Sequence, residues 1–125
     1  MKVLALDYGT KRVGVAVSTG SLAQPLTIIA HDAQLLPNLQ RLIHEYQPDT
    51  IVIGLSENTM ATRTREFARQ LSTVTDVPLA FTDETLSSHE VHELLRYHPR
   101  HQKQGPIDHY AAAVILQRWL DEQGR

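Results

Sequence analysis

The chain has 125 residues, 42% of them hydrophobic and 21% charged, with 12 basic against 14 acidic side chains and a formal net charge of −2. That length and composition describe one globular domain over residues 1–125, able to bury roughly two-thirds of the surface its unfolded chain exposes. The lack of cysteine excludes disulfides, zinc–thiolate sites and thiol nucleophiles, and the charge balance argues against a strongly basic nucleic-acid binder while leaving room for a local basic groove around an acidic centre.

No apolar run is long enough to span a bilayer. The first residues lack a secretory signal pattern, because the run from Val3 is broken by Asp7 and then by Lys11-Arg12. The expectation is a cytoplasmic protein with no membrane partner. Residues 2–7 read as a central strand, apolar on both faces, and Tyr8-Gly9-Thr10-Lys11 as a short hairpin link. Residues 12–18 alternate, with Val13, Val15 and Val17 on one side and Gly14, Ala16 and Ser18 on the other. A third strand is expected over 24–30, with Pro25 at its start.

A helix is expected over Leu35–Tyr46, with Leu39, Leu42, Ile43 and Tyr46 on one face, Pro37 in its first turn and Gln47-Pro48-Asp49 as its stop. Thr50 to Leu55 reads as a buried strand. A helix with Met60, Phe67, Ala68, Leu71 and Val74 or Thr75 inward follows, and then a strand over Val77–Thr82. Ser87-Ser88-His89-Glu90 is a capping-box pattern opening a helix with Val91, Leu94 and Leu95 inward. His98 to Gln104 is a polar loop, and Gly105-Pro106 is expected to open a last helix to about Glu122, with proline at its first position. A hairpin meander followed by βαβ crossovers gives an α/β fold: a five-stranded mixed β-sheet with α-helices on both faces.

Three acids stand out. Asp7 ends the first strand, and a carboxylate at the end of a buried strand needs charge compensation, which a bound cation supplies; the plainer alternative is a turn-making Asp before Tyr8-Gly9. Glu84 follows the strand 77–82 at another carboxyl end; alternatively, Asp83-Glu84 is a solvated pair at a helix N-terminus. Asp108 shares a helix face with Ala111, Ala112 and Ile115, which directs it toward the sheet, and the small residues 111–113 let that helix approach closely. Its alternative role is an acid favoured by the helix dipole. Sites in such sheets form outside the carboxyl ends of the strands. Three carboxylates there suit hard divalent cations, and two ions about 3.5–4 Å apart activate a water and stabilise the leaving oxygen of a phosphodiester.

Lys11 and Arg12 flank the hairpin turn, either as phosphate contacts or as solvated charges. Arg63, Arg65 and Arg69 read as a solvated helix face. His98, Arg100, His101 and Lys103 form a mildly basic loop before Asp108, suited to substrate contact. His89 and His92 alone do not make a zinc site, and Ser18, Ser56 and Ser87 lack a nucleophile-elbow context.

Taken together, the residues resemble the YqgF/RuvX family, described as Holliday junction resolvases and as nucleases of precursor 16S ribosomal RNA. The resemblance runs nearly end to end. It is carried by Asp7-Tyr8-Gly9-Thr10-Lys11-Arg12-Val13-Gly14-Val15-Ala16, Pro25-Leu26-Thr27, Ile51-Val52-Ile53-Gly54-Leu55, Phe67-Ala68-Arg69-Gln70-Leu71, Asp83-Glu84-Thr85-Leu86-Ser87-Ser88 and Ile107-Asp108-His109-Tyr110-Ala111-Ala112-Ala113. It implies an RNase H-like fold related to RuvC and Asp7, Glu84 and Asp108 as catalytic ligands of Mg²⁺ or Mn²⁺. The implied activity is endonucleolytic, on precursor rRNA or branched DNA, with the ribosome or its assembly intermediates as a partner. Lys11, Arg12, Arg100 and Lys103 are the expected nucleic-acid contacts.

The chain departs from the family pattern at Ser56-Glu57-Asn58, where a proline and a glycine-bearing loop are usual, at Thr85, where arginine is usual, and in the sparse Lys/Arg content before Asp108. These changes touch substrate-binding surfaces rather than the three acids. Two other classes compete. An actin- or sugar-kinase-type nucleotide binder shares the acid-Gly-Thr opening but needs two such domains and a second phosphate loop. A non-catalytic relative would keep the acids as structural caps. Resolution of a symmetric junction would require a homodimer, for which the sequence identifies no interface.

Overall fold

Five strands and three helices are formed among the described residues, 1–55, 60–83 and 107–124, of the computed structural model. In chain order they are β1 (Val3–Tyr8), β2 (Arg12–Thr19), β3 (Leu22–Ala30), α1 (Leu35–Tyr46), β4 (Thr50–Leu55), α2 (Met60–Ser72), β5 (Leu79–Asp83) and α3 (Asp108–Gln123). The sheet order is β3-β2-β1-β4-β5. β1 pairs antiparallel with β2 and β2 with β3, while β1–β4 and β4–β5 are parallel. This is the expected mixed sheet with β1 at its centre.

The pleat sorts the side chains into two cores. Leu4, Leu6, Val13, Val15, Val17, Ile51 and Ile53 face α1 and α2, which contribute Leu35, Leu39, Phe67, Ala68 and Leu71. Val3, Ala5, Ala16 and Val52 face α3, which contributes Ala112, Ala113, Ile115 and Leu116. The helices therefore cover both faces. The α3 side is lined by small residues, so that helix lies closer. Gln117 ties α3 to the β2–β3 turn: its Oε1 accepts the Ala23 N–H (2.9 Å) and its Nε2 donates to the Ser21 carbonyl (3.0 Å).

Several boundaries differ from the sequence reading. β1 runs one residue further, so Tyr8 pairs with Val13 and the hairpin link shrinks to Gly9-Thr10-Lys11, closed by Gly9 N–H donating to the Arg12 carbonyl (3.0 Å). β3 starts at Leu22, which puts Pro25 inside it rather than at its start. The proline is tolerated because β3 is an edge strand and because the register with β2 shifts beside it, between Val15 and Ala16. β5 starts at Leu79, since Pro78 has no N–H to give; its carbonyl instead accepts the Ile51 N–H (2.9 Å).

α1 ends as expected, with Gln47 in the left-handed conformation (φ 46°) donating to the Ile43 carbonyl. α2 ends at Ser72 and buries Thr64, whose hydroxyl donates to the Met60 carbonyl (2.7 Å), together with Phe67, Ala68 and Leu71. α3 begins at Asp108 after Ile107, two residues later than proline at the first helical position would require. Its buried side is Tyr110, Ala112, Ala113, Ile115 and Leu116, rotated slightly from the expected one because Ala111 is only half buried. The expected capping box and helix after Ser87, the 98–104 loop, and Gly105-Pro106 lie outside the described residues.

α3 approaches the sheet closely at Gly14, where an added Cβ would overlap the main-chain carbonyl of Asp108. Backbone cannot swing aside as a long side chain can. Gly14→Ala should therefore push helix and sheet apart, costing about 1–3 kcal/mol and lowering the thermal midpoint by roughly 4–12 °C. Thermal unfolding followed by circular dichroism measures this; an unchanged midpoint would contradict the close approach.

Candidate functional site

Asp7 is the register partner of Gly14 across β1–β2. By the pleat it follows Val3 and Ala5 on the α3 side of the sheet. Gly14 in turn carries the first residue of α3, Asp108. One glycine thus brings two acids from opposite ends of the chain to the same end of the same face. Both are half buried. That end is the carboxyl end of the parallel strands β1, β4 and β5, to which β5 also delivers the chain at Asp83. Glu84 lies outside the described residues, as do Arg100, Lys103, Thr85 and Ser56-Glu57-Asn58.

Asp108 occupies the first turn of α3, where the helix dipole favours a negative charge. Its carboxylate Oδ2 accepts a hydrogen bond from Arg12 Nε at 3.0 Å, and the two side chains retain 24% and 43% of their exposure. Arg12 is thus neither a free solvated charge nor a residue pointing away from the acids, which the sequence alone could not show. Lys11 is exposed. On α2, Arg69 is paired with Glu66 (2.7 Å) and the Arg65 guanidinium lies over the half-exposed Phe81 ring, 5.6 Å from its centroid.

The donor set suits a hard cation: Asp7 and Asp108 bring carboxylates to the same end of one sheet face, and a cation, the Arg12 guanidinium, already sits on Asp108. Among the described residues no cluster of three potential ligands is assembled; the third acid of the sequence reading is Glu84.

Behind Asp7 the hairpin turn is buttressed by residues that the sequence reading did not single out. His31 follows β3 and accepts no cue from periodicity, yet its ring bonds to both Gly9 and Tyr8. Nδ1 must donate to the Gly9 carbonyl (2.7 Å), since a carbonyl only accepts. In the neutral ring Nε2 then accepts from the Tyr8 hydroxyl (3.2 Å). The His31 main-chain N–H donates to the Lys11 carbonyl (3.0 Å). Tyr8 stacks on Phe67 of α2, with centroids 4.4 Å apart. Burial pushes the Tyr8 phenol above its ordinary pKa, partly offset by the positive charge of Arg63. The turn that follows Asp7 is therefore held from two directions.

The family model described as "RuvX: Holliday junction resolvase" matches residues 1–122. A protein of Acaryochloris marina named "Putative pre-16S rRNA nuclease" is 38% identical over 136 residues, covering 98% of this chain and 94% of that one. Among solved structures, Thermus thermophilus RuvC superposes with a TM-score of 0.66 at 14% identity, over 99% of this chain and 96% of that one. The Fowlpox virus resolvase, solved with substrate Holliday junction DNA, superposes with a TM-score of 0.65 at 13% identity over 100% of both chains. At such identities these two structures establish a shared fold, the RNase H-like resolvase fold.

The buttress makes an ordered expectation. Tyr8→Phe removes one partly buried hydrogen bond and should cost about 0.5–1.5 kcal/mol. His31→Ala also strips the Gly9 carbonyl of its partner and should cost more, about 1–3 kcal/mol. Urea unfolding of the two variants tests the order; equal losses would mean that the Gly9 contact contributes nothing.

Proposed function

The chain belongs to the RuvX Holliday junction resolvase family, and on that basis we propose that it is a divalent-cation-dependent endonuclease that matures the 5′ end of precursor 16S rRNA in the cytoplasm. The observation that carries this reading is the meeting of Asp7 and Asp108 over Gly14 at the carboxyl end of the sheet. A purely structural acid in either place has no need of the other.

In this reading Asp7, Glu84 and Asp108 hold one or two Mg²⁺ or Mn²⁺ ions. Bound there, such ions supply charge neutralisation at phosphorus and a water acidified enough to attack it. The protein's own contribution is positioning. Asp7 is fixed in the ladder by its pairing with Gly14, and the next turn is fixed by His31 and Tyr8. Asp108 is fixed by the seating of α3, whose first turn is a favourable place for a negative charge. Lys11 and Arg12, with Arg100 and Lys103 from the sequence before Asp108, draw in the phosphate backbone.

Precursor rRNA is favoured over a four-way DNA junction on two grounds. The relatives that match end to end at over a third identity carry the rRNA nuclease name. A symmetric junction also demands paired active centres, and the β3 edge is blunted against strand pairing by Pro25 and the adjacent register shift. A ribosome assembly intermediate is then the natural partner.

Incubation of the protein with a precursor 16S fragment and with a four-way DNA junction, in Mg²⁺ or Mn²⁺, tests the reading. The RNA should be cut and the junction left intact. Asp7→Asn should lose more than the roughly 10–100-fold that removal of an outer-shell partner costs. Full cleavage by Asp7→Asn, or preferential cutting of the junction, would overturn it.

A further inference from the structure

The Arg12–Asp108 pair places a cationic side chain on a proposed cation ligand. We propose that Arg12 is an exchange residue: it neutralises Asp108 while the metal is absent, and it is released to a substrate phosphate when a divalent cation takes that carboxylate. The inference rests on the reading of Asp7 and Asp108 as cation ligands, and its argument is geometric and electrostatic.

Arg12 is the first residue of β2, immediately after the link that follows Asp7, and its backbone is pinned by the Gly9 N–H. Its side chain can pivot without moving the strand. The contact to Asp108 uses Nε at 3.0 Å. Arginine presents five N–H donors in a planar fork matched to phosphate oxygens, so a single-donor contact leaves most of that fork uncommitted. The pair is also partly solvated, at 43% and 24% exposure, and such pairs are weak enough to exchange. A doubly charged ion on the same carboxylate would repel the guanidinium and displace it. The nearest new anion would be the phosphodiester brought to that ion. The exchange makes substrate affinity conditional on the cation.

Mn²⁺ titration by calorimetry, without nucleic acid, reads the first half of the exchange. Arg12→Gln should bind Mn²⁺ up to about fivefold more tightly than wild type, the range that an exposed ion pair spans. In the Asp108→Asn background the same substitution should make no such difference. The second half is read by hairpin RNA binding against salt, with and without Ca²⁺. Removing Arg12 should lower the salt slope by about 1 with Ca²⁺ present and leave it unchanged without. Arg12→Lys, which keeps the charge, should retain part of both effects.

Unchanged Mn²⁺ affinity in Arg12→Gln overturns the exchange alone. So does a loss of slope that is the same with and without Ca²⁺. Failure of the wild type to bind Mn²⁺ overturns both the exchange and the cation site on which it rests.

Discussion

The missing side chain at Gly14 is the constraint on which the site depends. A helix normally rests on a sheet through an intervening layer of side chains. Here the layer is absent at one point, and the main chain at Asp108 rests on the strand itself. The small residues Ala5, Ala16, Ala112 and Ala113 continue the close approach along the helix, and Gln117 fixes its other half to the β2–β3 turn. Because Asp7 pairs with Gly14, this point of close approach is also the point where the two acids come together. Packing and chemistry are set by the same contact.

That contact is electrostatically costly unless cations attend it. Two half-buried carboxylates repel each other, and partial burial strengthens the repulsion. At Asp108 the fold answers with the positive end of α3 and with Arg12. Neither is permanent compensation of the kind that a buried ion pair gives. The dipole is fixed but small, and the guanidinium is mobile and partly wet. Under the proposed function, weak and exchangeable compensation at Asp108 suits a carboxylate that takes a stronger cation.

The architecture was readable because its signals are periodic. The alternation of Val13, Val15 and Val17 against Gly14, Ala16 and Ser18 names the two faces of β2, and those faces are the ones observed. The small residues after Asp108 pointed to a helix lying close on the sheet. What stayed hidden has no period. His31 reaches Gly9 and Tyr8 across the β-meander, and nothing in its neighbours foretells that. Arg12 and Asp108 are far apart in sequence, and their pairing depends on the side-chain conformation of a long, flexible residue. Thr64 is buried because its hydroxyl can bond within its own helix, a compensation that hydropathy does not register. Proline interrupts a ladder, which argues for a strand start at Pro25; the edge position and the register shift that excuse it inside β3 are tertiary facts.

A net charge of −2 gives this chain no long-range attraction for a polyanion, since exposed charges are screened beyond about 10 Å at ordinary ionic strength. Under the proposed function, substrate must then be held by cations close to Asp7. On α2, Arg69 is paired with Glu66 and Arg65 lies over the Phe81 ring, contacts that a phosphate would have to displace. Few phosphate contacts mean modest affinity and a shallow dependence on salt. An enzyme so equipped would be a poor scavenger of free RNA. It would act efficiently where a structured precursor is already presented at high local concentration, as on an assembling ribosomal particle. Weak intrinsic binding would also protect unrelated RNA, so the sparse basic surface is itself a source of selectivity.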